Sequence, residues 1–152
     1  MRKLFFVVVV CLWSTGYAAD TVPFRAQIIT NVQFTGSCGP ACLSLSITGS
    51  GLGLHFGHIT ITGPSQINLA TLTQTGSSVL VASNGSTALM SFAGTFVPGA
   101  TPDVATFQGS WTIGSGTGRF EGETGSGTYS GSAAGSIGVL NLDGVLSNPG
   151  NR

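Results

Sequence analysis

Two strand-like runs, from Phe107 to Ile113 and from Thr124 to Ser130, are joined by a turn dense in glycine (Gly114, Gly116, Gly118 and Gly122). Phe107, Gly109, Trp111 and Ile113 occupy alternate positions, which in an extended chain puts them on one face. The same period of two recurs in Leu43, Leu45 and Ile47, and again in Ala88, Met90, Phe92, Gly94 and Phe96. Helix-forming segments are nearly absent. A pattern of this kind excludes helical and α/β folds and predicts an all-β chain.

The strands expected from this pattern begin with Phe24 to Phe34 and a second run through Leu43, Leu45 and Ile47. Leu54 to Thr62 and Gln66 to Thr75 follow, separated by Gly63-Pro64, which reads as a turn. Val79 to Val81 leads through Asn84-Gly85, a favoured hairpin dipeptide, into Ala88 to Phe96. Pro98 to Pro102 reads as a loop, and Ile137 to Leu146 closes the series at eight or nine strands. The apolar phase shifts near Gly57, as at a bulge or corner. So few charges would leave the edges of an open sheet unprotected, and many of the 24 glycines interrupt strand runs where sharp coiling is needed. Both point to a closed antiparallel barrel of about eight strands, packed solid or holding one small ligand.

Arg2 and Lys3, the apolar run Leu4 to Trp13 and the small residues Gly16 and Ala18 have the form of a secretory signal peptide over residues 1–18. Its removal leaves 134 of the 152 residues, a length for one barrel domain over 19–152. The apolar run is too short for a membrane span, and Val10 before Cys11 argues against a lipid anchor. Secreted or periplasmic location is expected. Arg25, Arg119 and Arg152 then stand against Asp20, Asp103, Glu121, Glu123 and Asp143, so there is no basic footprint for nucleic acid or an anionic membrane. A chain ending Pro-Gly-Asn-Arg without aromatic girdles also argues against an outer-membrane barrel. Cys38 and Cys42 remain as a pair around the tight turn Gly39-Pro40, and should form a disulfide in an oxidising compartment. The extra Ala41 spoils the spacing of a redox Cys-Gly-Pro-Cys motif.

The run Gly114-Ser115-Gly116-Thr117-Gly118-Arg119-Phe120-Glu121-Gly122-Glu123-Thr124-Gly125 resembles the Gly-Gly-Thr-Gly-Arg-Phe-x-Gly-Ala-x-Gly signature of the allene oxide cyclase-like and dirigent-like barrel superfamily. It is most similar to that superfamily's small secreted bacterial members. Glu123 departs from the small residue usual there. The resemblance implies an eight-stranded antiparallel barrel. In the plant relatives the cavity guides a reactive intermediate to one stereoisomer without metal or organic cofactor. No positions here match their catalytic residues, so that activity does not carry over.

In extended structure Arg119, Glu121 and Glu123 would share one side, at a polar cavity mouth or as a surface ion pair, with Phe120 plugging the barrel from the other. They are the candidate catalytic residues, and Phe120, Tyr129 and Trp111 the candidate ligand contacts, Trp111 as a core aromatic whose N–H needs a partner. Gln66 and Asn68 are further candidate cavity polar groups. His55 and His58 are three apart, which on a strand points them to opposite faces, so no metal site is expected. Gly-Ser-Gly-Thr-Gly lacks the lysine and helix of a phosphate loop, and no nucleophile elbow is present. The expectation is therefore an exported barrel without cofactor, able to form homo-oligomers. Non-catalytic binding of a small apolar ligand or an extracellular surface is favoured over a cofactor-free isomerase or cyclase.

Overall fold

The computed structural model describes residues 21–147 apart from His55 and Pro102. The expected signal peptide lies outside these residues. Eight strands follow one another: β1 (Thr21–Gly39), β2 (Cys42–Gly53), β3 (Gly57–Asn68), β4 (Thr73–Ala82), β5 (Thr87–Pro98), β6 (Val104–Gly116), β7 (Gly125–Ala134) and β8 (Ile137–Ser147). Each pairs antiparallel with the next, and β8 pairs with β1, so the sheet is a closed barrel with all eight strands in sequence order. Closure gives every central strand two partners and removes the long edges that a nearly uncharged sheet would expose.

The interior packs as a tilted spiral of large and small residues. Following directly opposed residues from Phe24 leads through Gly144, Gly127, Trp111, Phe92, Gly76, Ser65 and Leu45 and returns to β1 at Phe34, ten residues further along. The next row inside the barrel runs Ala26, Leu142, Tyr129, Gly109, Gly94, Gln74 and Ile67. Where one row carries glycine, the other carries a large side chain, so the rows interdigitate. The glycines also form a floor. A Cβ on Gly127 or Gly144 would lie 2.7 or 2.6 Å from Cζ2 of Trp111, and one on Gly109 would lie 2.7 Å from Cε1 of Tyr129. Phe107 lies on Gly131 and Phe92 on Gly76 in the same way.

Several boundaries differ from the sequence expectation. Gly63-Pro64 is not a turn but lies within β3, which accounts for a ninth strand being counted. Pro64 faces outward and Gly63 permits close approach to the backbone at Ser77, so both fit a strongly coiled strand. The chain reverses instead at Leu69 to Leu72, where the Asn68 carboxamide oxygen accepts from the amides of Ala70 (2.9 Å) and Thr71 (3.1 Å) and Leu72 takes a left-handed φ of 53°. Of the two readings of the phase shift near Gly57, the corner holds and the bulge does not: β2 ends at Gly53, β3 begins at Gly57, and these two glycines pair. Asn84-Gly85 does turn the chain, within the connection Ser83 to Ser86, with Gly85 at φ 82°.

Cys38 and Cys42 are bonded across the tip of the β1–β2 hairpin, with Cα atoms 5.0 Å apart. Beyond Asn31 and Ile137, β1 has lost its partner β8, so its last residues are held by β2 alone, while β2 stays paired with β3 as far as Cys42. A closed loop this short restricts the unfolded chain by about 2 kcal/mol at most. The double variant Cys38→Ser/Cys42→Ser should therefore lose no more than about 2 kcal/mol in urea unfolding. Its loss of amide-exchange protection should be confined to the hairpin tip.

Candidate functional site

The two ends of the barrel differ. At one end, bounded by the β2–β3, β4–β5 and β6–β7 connections, four aromatic rings fill the lumen. Phe24 meets Phe56 and Trp111 edge to face at 5.5 and 5.4 Å, and Phe56 stacks on Phe120 at 5.0 Å. Trp111 Nε1 donates to the Thr128 carbonyl (3.0 Å), which supplies the partner its burial demands. Phe120 is fully buried here, as a plug.

The β6–β7 turn does not hold Arg119, Glu121 and Glu123 on one extended face. Gly118 to Phe120 forms a single 3-10 turn, begun by Gly118 at φ 59° and anchored where the Arg119 amide donates to Ser86 Oγ (2.9 Å). Alternation fails because helical turns separate neighbours by about 120° of rotation. Arg119 lies over the Phe56 ring with its guanidinium carbon 5.2 Å from the centroid, and Glu121 is exposed. Glu123 is half-buried; desolvation raises its pKa and the Arg119 charge partly offsets this. All three stand at the packed end. His58 is exposed on β3, His55 lies outside the described residues, and no cluster of three or more metal-ligating side chains occurs among the described residues. Gln66 faces outward, while Asn68 is used in its own turn.

At the other end the lumen is open. A cavity of about 390 Å³ enters it, within the range of small-molecule sites, with walls from Ile47, Ile61, Met90, Phe92, Phe107, Leu140 and Leu142. At this end of the barrel Leu69 and Leu72 are exposed in the β3–β4 connection, and Phe34, Val97 and Val104 on β1, β5 and β6. Asp103 is the one charged residue among those lining the cavity, and it sits exposed in the β5–β6 connection.

Four buried side chains bearing polar atoms line this apolar space, Thr30, Gln74, Ser78 and Tyr129, and two of them hold an atom without a partner. Tyr129, 5 % exposed, reaches from β7 across Gly109 to Gly94 on β5, where a Cβ would lie 2.6 Å from its Oη. Gln74, 7 % exposed, lies directly opposite Gly94 on β4. Its Nε2 donates to Ser65 Oγ (3.2 Å), and that hydroxyl donates to the Thr75 carbonyl (3.3 Å). Because the single Ser65 proton is used on Thr75, Ser65 can only accept from Gln74, which turns the Gln74 Oε1 away as an acceptor. Gln74 Oε1 and Tyr129 Oη both lack a hydrogen-bond partner among the described residues. Of the residues singled out from sequence, Tyr129 alone enters the cavity; Trp111 and Phe120 belong to the packed end. Gln74 was missed, though counting back by twos from buried Leu80 through Ser78 and Gly76 would have placed it inward.

Burial pushes the Tyr129 phenol up to about 12. The folded barrel thus holds this proton more tightly than the unfolded chain, whose phenol titrates near 10. The resulting stability is fully present below about pH 10 and is lost as pH rises to about 12. Residues 21–147 contain one tyrosine and no lysine, so absorbance at 295 nm reads this phenol directly. Ionisation delayed to about pH 12 is expected, and Tyr129→Phe should remove that alkaline fall in stability.

Fold and cavity together define a class: a closed eight-stranded antiparallel barrel with one plugged end and one open, apolar, ligand-sized lumen. Comparison of the chain with family models, curated proteins and solved structures finds no match.

Proposed function

We propose that this protein binds a small, largely apolar ligand inside the open half of the barrel. The observation that carries the reading is the 390 Å³ cavity, whose wall is almost wholly aliphatic and aromatic while two buried polar atoms in it lack partners. Exposed Phe34, Leu69, Leu72 and Val104 add apolar surface at the same end of the barrel. A cofactor-free isomerase or cyclase is less well supported, because the carboxylates and guanidinium considered for it stand at the plugged end.

The Cys38–Cys42 bond is consistent with an oxidising compartment, and with the leader-like residues 1–18 it supports export to the periplasm or medium. The outer face, with Thr60, Thr62, Thr75, Ser91, Thr106, Thr112 and Thr128 exposed, suits water better than lipid. The glycine turn at Gly114 to Gly125 supports placing the chain with the allene oxide cyclase-like and dirigent-like barrels.

The test is titration with N-phenyl-1-naphthylamine, a neutral apolar fluorophore. Saturable binding of one probe per chain is expected, abolished in Leu140→Trp, which fills the lumen. Fluorescence that never saturates, or that survives the filling substitution in a folded variant, would overturn the reading.

A further inference from the structure

The cavity wall carries information about the head of its occupant. A buried polar atom left without a partner costs free energy, so an occupant whose polar group pairs with it as the side chain adjusts binds better than one that leaves it unmade. Here the atoms to be satisfied are of two kinds. Gln74 Oε1 can only accept, because the Ser65 contact fixes which way the amide points. Tyr129 Oη can donate or accept, and the phenol stays neutral far above physiological pH. The two belong to one row of the barrel. Gln74 is opposite Gly94, and the Tyr129 hydroxyl rests against Gly94 from the other side.

Resting on the proposed apolar-ligand reading, we infer that the ligand is an uncharged amphiphile whose buried end bears a hydroxyl group. A hydroxyl donates one hydrogen bond, to Gln74 Oε1, and accepts another, from Tyr129. An ether or ketone accepts from Tyr129 but leaves the Gln74 oxygen buried and unpaired. A hydrocarbon leaves both. A carboxylate would be worse: it presents a second acceptor to Gln74 and brings a buried charge into a cavity whose one charged lining residue is the anionic Asp103 at its rim. An ammonium head would find no buried carboxylate in the wall.

The experiment displaces N-phenyl-1-naphthylamine from the full chain with four ten-carbon compounds at neutral pH: decane, decyl methyl ether, 1-decanol and decanoate. The alcohol should bind roughly tenfold or more tighter than the ether and than decanoate. In Gln74→Leu the alcohol-to-ether ratio should fall toward one while the fluorophore still binds, and in Tyr129→Phe both ligands should weaken with the ratio kept, because alcohol and ether alike accept from the phenol. That ratio compares two ligands on the same protein, so a general loss of stability does not mimic the effect. Saturable fluorophore binding with no preference among the four, or with decanoate preferred, overturns the hydroxyl inference and leaves the cavity reading intact. Absence of saturable fluorophore binding overturns the cavity reading itself, and the inference with it.

Discussion

Trp111→Ala should lower the free energy of unfolding by about 3–5 kcal/mol, the range for removing a fully buried tryptophan. Trp111 is 0 % exposed, and its ring lies on Gly127 and Gly144 and meets Phe24 edge to face. Neither glycine can move a side chain into the space vacated, so the cavity left behind cannot collapse cheaply. Trp111→Phe keeps much of the ring but removes the hydrogen bond to the Thr128 carbonyl, and an intermediate loss is expected. Ile29→Ala, at a position 62 % exposed on the outer face, should stay within about 0.5 kcal/mol. Urea unfolding followed by far-ultraviolet circular dichroism reads all three without relying on tryptophan fluorescence. A Trp111→Ala loss no larger than that of Ile29→Ala would mean that this end of the barrel is not closed by its aromatic plug.

Gly109→Val is the second large effect, expected at about 3 kcal/mol from overpacking. A Cβ there would come within 2.6 Å of the Gly94 Cα and 2.7 Å of the Tyr129 ring, so both a neighbouring strand and the ring must give way. Strand backbone yields at high cost because the ladder on both sides is already paired. The comparison is Gly114→Ala, whose Cβ would meet nothing within 4 Å and which should be near neutral. Both substitutions add β-propensity to a strand, so propensity alone predicts the same sign for the two. Equal stability of the two variants in urea would remove the case that the inward glycines form the floor for aromatic rings.

These two effects belong to one design. Large residues on one strand lie over glycines on the next, and the pattern repeats along the spiral rows up to the level at which Phe92, Phe107 and Tyr129 lie against Gly76, Gly131 and Gly109. Below that point the lumen is filled by Phe24, Phe56, Trp111 and Phe120; above it the wall side chains no longer meet across the axis, and the cavity begins. The same packing rule thereby sets both the plug and the depth of the candidate site.

The alternation of apolar residues was sufficient to specify strands, and the scarcity of charge to argue for closure, since side-chain direction in an extended chain depends only on whether a position is odd or even. The disulfide, the inward faces of β5 and β6 and the burial of Phe120 followed from local pattern for the same reason. Register was decided only in three dimensions. Whether Gly63-Pro64 turns the chain depends on what lies opposite, and here it lies opposite Ser46 and Ile47 in an unbroken ladder. Arg119, Glu121 and Glu123 looked aligned because extended geometry was assumed, and a single 3-10 turn dispersed them. Gln74 and Tyr129 are 55 residues apart in number, and only Tyr129 stands out in the chain. They become neighbours because three successive strand pairings set Gln74, Gly94, Gly109 and Tyr129 in one row, and because the two glycines between them leave room for a ring to lie across. Periodicity is a property of one segment, whereas the meeting of two polar atoms in a lumen is set by the stagger accumulated around the whole barrel.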